Sequence, residues 1–194
     1  MEFAEQSEPE VLVVADAAAW REWLDDHEGV SDGIWLRLAK KGVVTPTSLT
    51  YAEALEEALC SGWIDGQRKS HDETTFRQRF TPRRARSMWS KRNVDHVARL
   101  LEQGRMRARG LSEVEAAEGD GRWDRAYAGA ASAAVPDDLV AALEARAGAW
   151  QRFTALGGQE RYAILHQLMT APNDQTRARR LERFVEQLSD SEQG

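Results

Sequence analysis

The stretch that most limits how this chain can fold is residues 63–82, WIDGQRKSHDETTFRQRFTP. Beyond a polar stretch at residues 70–73, Phe76, Gln78 and Phe80 alternate with Arg77 and Arg79. Period-two patterning sends successive side chains to opposite faces, which suits a strand and not a helix. Two strands around a turn follow. With an even-length turn, Trp63, Asp65 and Gln67 share a face with Phe76, Gln78 and Phe80. Ile64 and Arg68 then share the other face with Arg77 and Arg79. An odd turn exchanges the partners.

Helical spacing governs the flanks. Asp16 is placed to cap a helix over DAAAWREWLDDHEG, with Ala17, Trp20, Trp23, Leu24 and His27 on one stripe and Gly29 closing it. Ile34, Leu36 and Leu38 alternate with Trp35, Arg37 and Ala39, which reads as a further strand. VVTPTSLT is a loop. Thr50 and Glu53 form a T-x-x-E capping box for YAEALEEALCSG, which ends at Gly62. Pro82 stops the second strand of the pair. A helix from Ser90 or Asn93 to Gln103 follows, and a second capping box, Ser112 with Glu115, opens a short acidic helix. From Pro136 the pattern is helical throughout: two short helices, then QERYAILHQLMTA, then NDQTRARRLERFVEQL capped by Asn173 or Asp174. Leu139, Leu143, Trp150, Phe153, Leu156, Leu181, Phe184, Val185 and Leu188 are its expected inward residues.

The fold class expected is therefore α+β: a small antiparallel sheet with packed helices, followed by a C-terminal helical segment. Residues 1–14 form a tail and lead-in, 15–118 an α+β domain, 119–136 a Gly/Ala-rich connector and 137–190 the helical segment.

Composition narrows the function classes. The net charge of -6 argues against a dedicated non-specific nucleic-acid binder. Cys60 is the sole cysteine, so no intramolecular disulfide is available, which suits a reducing compartment. There is no apolar run near the roughly 20 residues that span a bilayer. No signal-peptide pattern is present, and a cytoplasmic location without membrane insertion is expected. His27, His71, His96 and His166 make no H-x-x-x-H or H-E-x-x-H spacing, so no metal is expected. Walker, G-x-G-x-x-G and G-x-S-x-G motifs are missing, and no cofactor is expected.

Against this acidic background, residues 68–92 hold nine cations, Arg68, Lys69, Arg77, Arg79, Arg83, Arg84, Arg86, Lys91 and Arg92, and two acids, Asp72 and Glu73. Trp63, Phe76, Phe80 and Trp89 are interleaved. Guanidinium forks match carboxylate or phosphate and stack on rings. A ligand-binding set of Trp63, Asp65, Arg68, Arg79, Arg83, Arg84, Trp89 and Asn93 is thus expected to hold a small anion or a partner's acidic segment. The bland alternative is a solvated, self-paired charged face. Single-stranded nucleic acid is a second candidate ligand. A third reading makes Asp65 a general base, although Asp-Gly more often marks a bend or bulge. Cys60 has no evident activating base. Trp123, Asp124 and Tyr127 either pin the connector or close a pocket. Thr176, Arg177, Arg179, Arg180 and Arg183 form the polar face of the last helix, or add to an anion site.

The block EALCSGWIDGQRKSHDETTFRQRFTPRRARSMWSKRNVDHVARL resembles the YdeI/OmpD-associated family, and so do GRWDRAY and the segment from PDDLVAAL to RYAILHQLMTAPNDQTRARRLERFVEQL. The resemblance spans roughly residues 10–190 and rests on Gly62, Trp63, Ile64, Asp65, Gly66, Arg68, Arg79, Phe80, Thr81, Pro82, Arg83, Arg84, Trp89, Ser90 and Asn93. HQLMTAPND departs from the family's pattern, which tends to an aromatic and a lysine there. The resemblance implies a link to an outer-membrane porin and to bacteriocin or antimicrobial-peptide resistance or envelope stress. It implies no defined reaction, so a non-catalytic role is favoured.

Overall fold

The computed structural model describes residues 10–189; of the expected N-terminal tail, residues 1–9 lie outside them. The chain is α+β, with helices making up its C-terminal part. It divides into two compact units, one of Met1–Ser87 with Asp95–Asp120, the other of Met88–Val94 with Gly121–Gly194.

The first unit is built on a four-stranded sheet: β1 (Val11–Leu12), β2 (Ile34–Ala39), β3 (Trp63–Ser70) and β4 (Thr75–Pro82), in the order β1-β2-β4-β3. β4 pairs antiparallel with both β2 and β3. The expected all-antiparallel sheet is corrected at one edge, where β1 runs parallel to β2. Two residues are too few to show an alternation, so this strand was read as lead-in.

Register assigns the faces. Ile34, Leu36 and Leu38 lie opposite Phe80, Gln78 and Phe76. Asp65 lies opposite Phe80, so Trp63 and Asp65 share the apolar face, as the even-turn register requires. A bulge between Asp65 and Arg68 then shifts the pairing, and Arg68 lies opposite Gln78 and Ser70 opposite Phe76. Arg68 thereby moves to the face where Gln67 was expected. The Asp-Gly pair leads into the bulge, the bland reading of those two residues. The buried Gln78 side chain steadies it, its Nε2 donating to the carbonyls of Gly66 (2.9 Å) and Gln67 (3.3 Å).

Two helices cover the apolar face. α1 (Ala17–His27) starts at Asp16, whose side chain accepts from the Ala19 N–H. α2 (Tyr51–Cys60) opens with the Thr50–Glu53 capping box and is followed by Gly62 at a φ of 70°. Trp20 of α1 packs on Phe80 at 5.7 Å and edge-on to Trp63 at 6.5 Å, while its Nε1 donates to the Ala54 carbonyl. These rings are buried, and such pairs add about 0.5–1.5 kcal/mol each beyond burial.

α3 (Lys91–Glu102) begins in the second unit's segment and continues in the first. α4 (Ala108–Gly119) starts earlier than the Ser112–Glu115 box suggests. Ser112 sits inside the helix and its hydroxyl donates to the Ala108 carbonyl. The start is fixed by tertiary contacts, because the Arg107 N–H donates to the Cys60 carbonyl and its guanidinium to buried Glu57. Arg105 also donates to Glu57 and, like Arg99, to Glu56. Gly110 lets α4 approach closely, since a Cβ there would lie 2.2 Å from the Cys60 carbonyl oxygen.

The second unit holds α5 (Asp137–Glu144), α6 (Ala149–Ala155), α7 (Gly158–Met169) and α8 (Asp174–Ser189). Leu139, Leu143, Ala149, Phe153, Leu165, Leu168, Phe184 and Val185 form its core. Asn173 caps α8 by accepting from the Thr176 N–H at 2.8 Å. The connector is pinned. Tyr127 pairs with the 88–94 segment, its N–H donating to the Trp89 carbonyl while its own carbonyl accepts from the Lys91 N–H. Trp123 meets Trp89 edge-on at 4.9 Å.

Two substitutions test these constraints. Gln78→Leu leaves the two bulge carbonyls without their amide and should cost about 1–3 kcal/mol, read from urea unfolding of the full chain. Gly110→Ala forces backbone apart at Cys60 and should cost at least as much, seen as a lower melting temperature; an unchanged one contradicts the close approach.

Candidate functional site

The second sheet face is where the charge collects. Pairing places Arg37 opposite Arg77 and Arg77 opposite Lys69, so one row across three adjacent strands carries three cations. Strands are about 4.8 Å apart, which puts the row within about 10 Å. In the next row Trp35 lies opposite Arg79. Like charges directly opposite one another disfavour the sheet, so the row is stabilised by something other than itself.

Part of that offset is visible. Arg37 donates to Asp72 Oδ2 at 2.5 Å and to Thr75 Oγ1 at 2.9 Å. Asp72 is the organiser of the β3–β4 turn. Its Oδ1 accepts from the Thr74 and Thr75 hydroxyls and from both their N–H groups, at 2.7–3.0 Å. The Thr74 hydroxyl bond above all, with the two backbone donors and the Thr75 hydroxyl, holds this carboxyl well below its usual range. Arg77 Nε donates to His71 Nδ1 at 3.1 Å. Lys69 is exposed and its ammonium lies 4.9 Å from the Trp35 ring. Neither Lys69 nor Arg79 has a carboxylate partner among the described residues.

The eight residues expected from sequence are scattered. Trp63 is fully buried on the apolar face and donates from Nε1 to the Glu28 carbonyl, which also accepts from Arg109. Asp65 is half-buried and accepts from the Tyr51 hydroxyl at 2.8 Å. Arg68 is exposed with its guanidinium 3.9 Å from the Phe76 ring. Arg79 lies on the cationic face. Arg83 is buried just beyond β4, its N–H donating to the Gly62 carbonyl, while Arg84 is exposed. Trp89 and Asn93 are buried members of the second unit. The structure thus gathers Arg79 with Arg77 and Lys69, and sends Trp63, Asp65 and Arg68 to the other side of the sheet.

Sequence reasoning missed Arg37 as a site residue. The Trp35–Arg37–Ala39 alternation was available, but which strand it pairs with was not. The Glu56, Glu57, Arg99, Arg105 and Arg107 network was missed too, and it absorbs three arginines into structure. Cys60 is buried, and burial, then the Glu57 carboxylate, pushes its thiol up to about 11, so it stays protonated at neutral pH. Among the described residues no three His, Cys, Asp or Glu side chains are grouped to hold a metal ion. No helix among them is long and apolar enough to cross a membrane.

Sheet, helices and charged face define a small two-unit α+β protein with one strongly cationic sheet surface. Residues 12–113 match the family model described as a domain of unknown function, DUF8412, and the chain belongs to that family. Residues 132–191 match the model described as Bacteriocin-protection, YdeI or OmpD-Associated, which supports the resemblance read from sequence in its C-terminal part. The cationic row of Arg37, Arg77 and Lys69, with Arg79, lies within the first match. No curated protein and no solved structure matches the chain.

The Asp72 turn carries a pH signature. A carboxyl held low in the fold contributes stability above its ordinary value of 3.8 and loses that contribution as pH falls toward the folded value. Asp72→Asn should therefore lower the urea midpoint at neutral pH, and the gap to the parent should narrow below pH 3.8. A gap constant from pH 7 to pH 3 contradicts the assignment.

Proposed function

We propose that the protein is a non-catalytic binding protein whose cationic sheet face takes an acidic segment of a protein partner. The observation that carries this is the Arg37–Arg77–Lys69 row with Arg79 beside it. Cations in register on a strand surface match carboxylates spaced along an extended chain.

Single-stranded nucleic acid is the second reading, and the ring positions disfavour it. Base stacking needs an open aromatic face. Trp35, the aromatic residue of this surface, is 7% exposed and lies beneath Lys69. The C-terminal match makes bacteriocin or antimicrobial-peptide resistance, or envelope stress, the setting we propose for the partner. We place the protein in the cytoplasm, where a lone cysteine stays reduced.

The test is fluorescence anisotropy with a labelled glutamate-rich peptide and a labelled oligo-dT, each at low and moderate salt. The peptide should bind, weaken with salt, and lose about fivefold or more in affinity in Lys69→Gln/Arg77→Gln. Oligo-dT binding without peptide binding would hand the surface to nucleic acid. Binding of neither would remove the proposal.

A further inference from the structure

The last helix carries a second cationic feature, in the other unit. Thr176, Arg179, Arg180 and Arg183 line a hollow of about 340 Å³. Arg177, their neighbour in sequence, is spoken for: it makes a two-pronged pair with Asp138, one arm at 2.9 Å. That pair is structural, fastening α8 to α5. It holds the Asp138 carboxyl below its usual range and raises Arg177.

The other three arginines are treated differently. None has a carboxylate partner among the described residues. They are instead tethered to neutral acceptors. Arg180 Nη1 donates to the Gln167 carbonyl at 2.5 Å, and Arg183 Nη2 donates to Gln167 Oε1 at 2.9 Å. Arg179 Nη2 donates to Thr176 Oγ1 at 3.4 Å. The Arg183 guanidinium also rests 4.8 Å from the Phe184 ring.

One residue of α7 therefore orients two guanidinium groups, and a hydroxyl in the first turn of α8 steadies a third. Each guanidinium has five N–H donors, and these contacts use one apiece. The remaining donors and the whole of the positive charge are left for a ligand. Fixing the forks beforehand lowers the ordering cost of binding. A single carboxylate is matched by one fork. Three forks around one small hollow suit a compact group with several equivalent oxygens and more than one negative charge.

We propose that this hollow is a binding site for a phosphoryl group, either of a soluble phosphate ester or of a lipid headgroup. Arg179, Arg180 and Arg183 are its ligands and Gln167 its positioning residue. It shares no residue with the sheet face, and its fate is independent of that surface.

The experiment follows the arginine Nε–H signals of the full chain by NMR while inorganic phosphate is added, with sodium chloride at matched ionic strength as the comparison. Saturable shifts of the Arg179, Arg180 and Arg183 signals with phosphate, and none with chloride, are expected. Arg179→Gln/Arg183→Gln should reduce the affinity by at least about tenfold, whereas Lys69→Gln/Arg77→Gln should leave it unchanged. A parallel arm measures co-sedimentation with phosphatidylcholine vesicles containing phosphatidic acid. Response to free phosphate with no vesicle binding makes the ligand soluble. Vesicle binding that is lost in the same α8 variant makes it a headgroup. Failure of both arms, equal shifts with chloride, or a response that survives Arg179→Gln/Arg183→Gln overturns the proposal.

Discussion

The bulge between Asp65 and Arg68 is the constraint on which the first unit turns. β4 lies between β2 and β3, so any slip on one side must be absorbed without disturbing the other. The bulge does this by giving β3 an extra residue, and Gln78 on β4 donates to the two carbonyls that the ladder leaves over. A buried amide left unmatched would be costly, as would the carbonyls. Matched to each other, they lock the register. That register sends Trp63 into the aromatic cluster with Trp20 and delivers Lys69 to the row headed by Arg37.

Charge in this protein is sorted by its partners. Arg99, Arg105 and Arg107 meet Glu56 and Glu57, and Arg177 meets Asp138; these join helices. Exposed ion pairs contribute little, but Glu57 is buried, and removing one side of such a pair is far costlier than never having it. Other cations gather in two places: the sheet face, where Arg37 meets Asp72 while Lys69 and Arg79 have no carboxylate partner among the described residues, and the α8 hollow. The edge position of β3 gives a second reason for cations there, since Arg68 and Lys69 also discourage another strand from pairing.

Much was legible in the sequence because it is local. The Asp16 cap, the Thr50–Glu53 box, the β3–β4 pair and the four C-terminal helices each follow from spacing within a few residues. The hydroxyls and N–H groups that serve Asp72 lie within three residues of it. Where local signals competed with distant ones they misled: Ser112 and Glu115 have the form of a capping box, yet α4 starts at Ala108 because Arg107 reaches Glu57, fifty residues away.

By itself the sequence determined the α+β class, the order of most elements and the concentration of cations after residue 67. Those depend on periodicity and composition, which the chain carries locally. Only the tertiary structure decided which cations stand together. Arg37 joins Arg77 through pairing of strands some forty residues apart, Arg68 changes face because of one extra residue, and Arg177 parts from Arg179, Arg180 and Arg183 because Asp138 packs against it. Each outcome depends on a partner distant along the chain, and no spacing rule encodes which partner arrives.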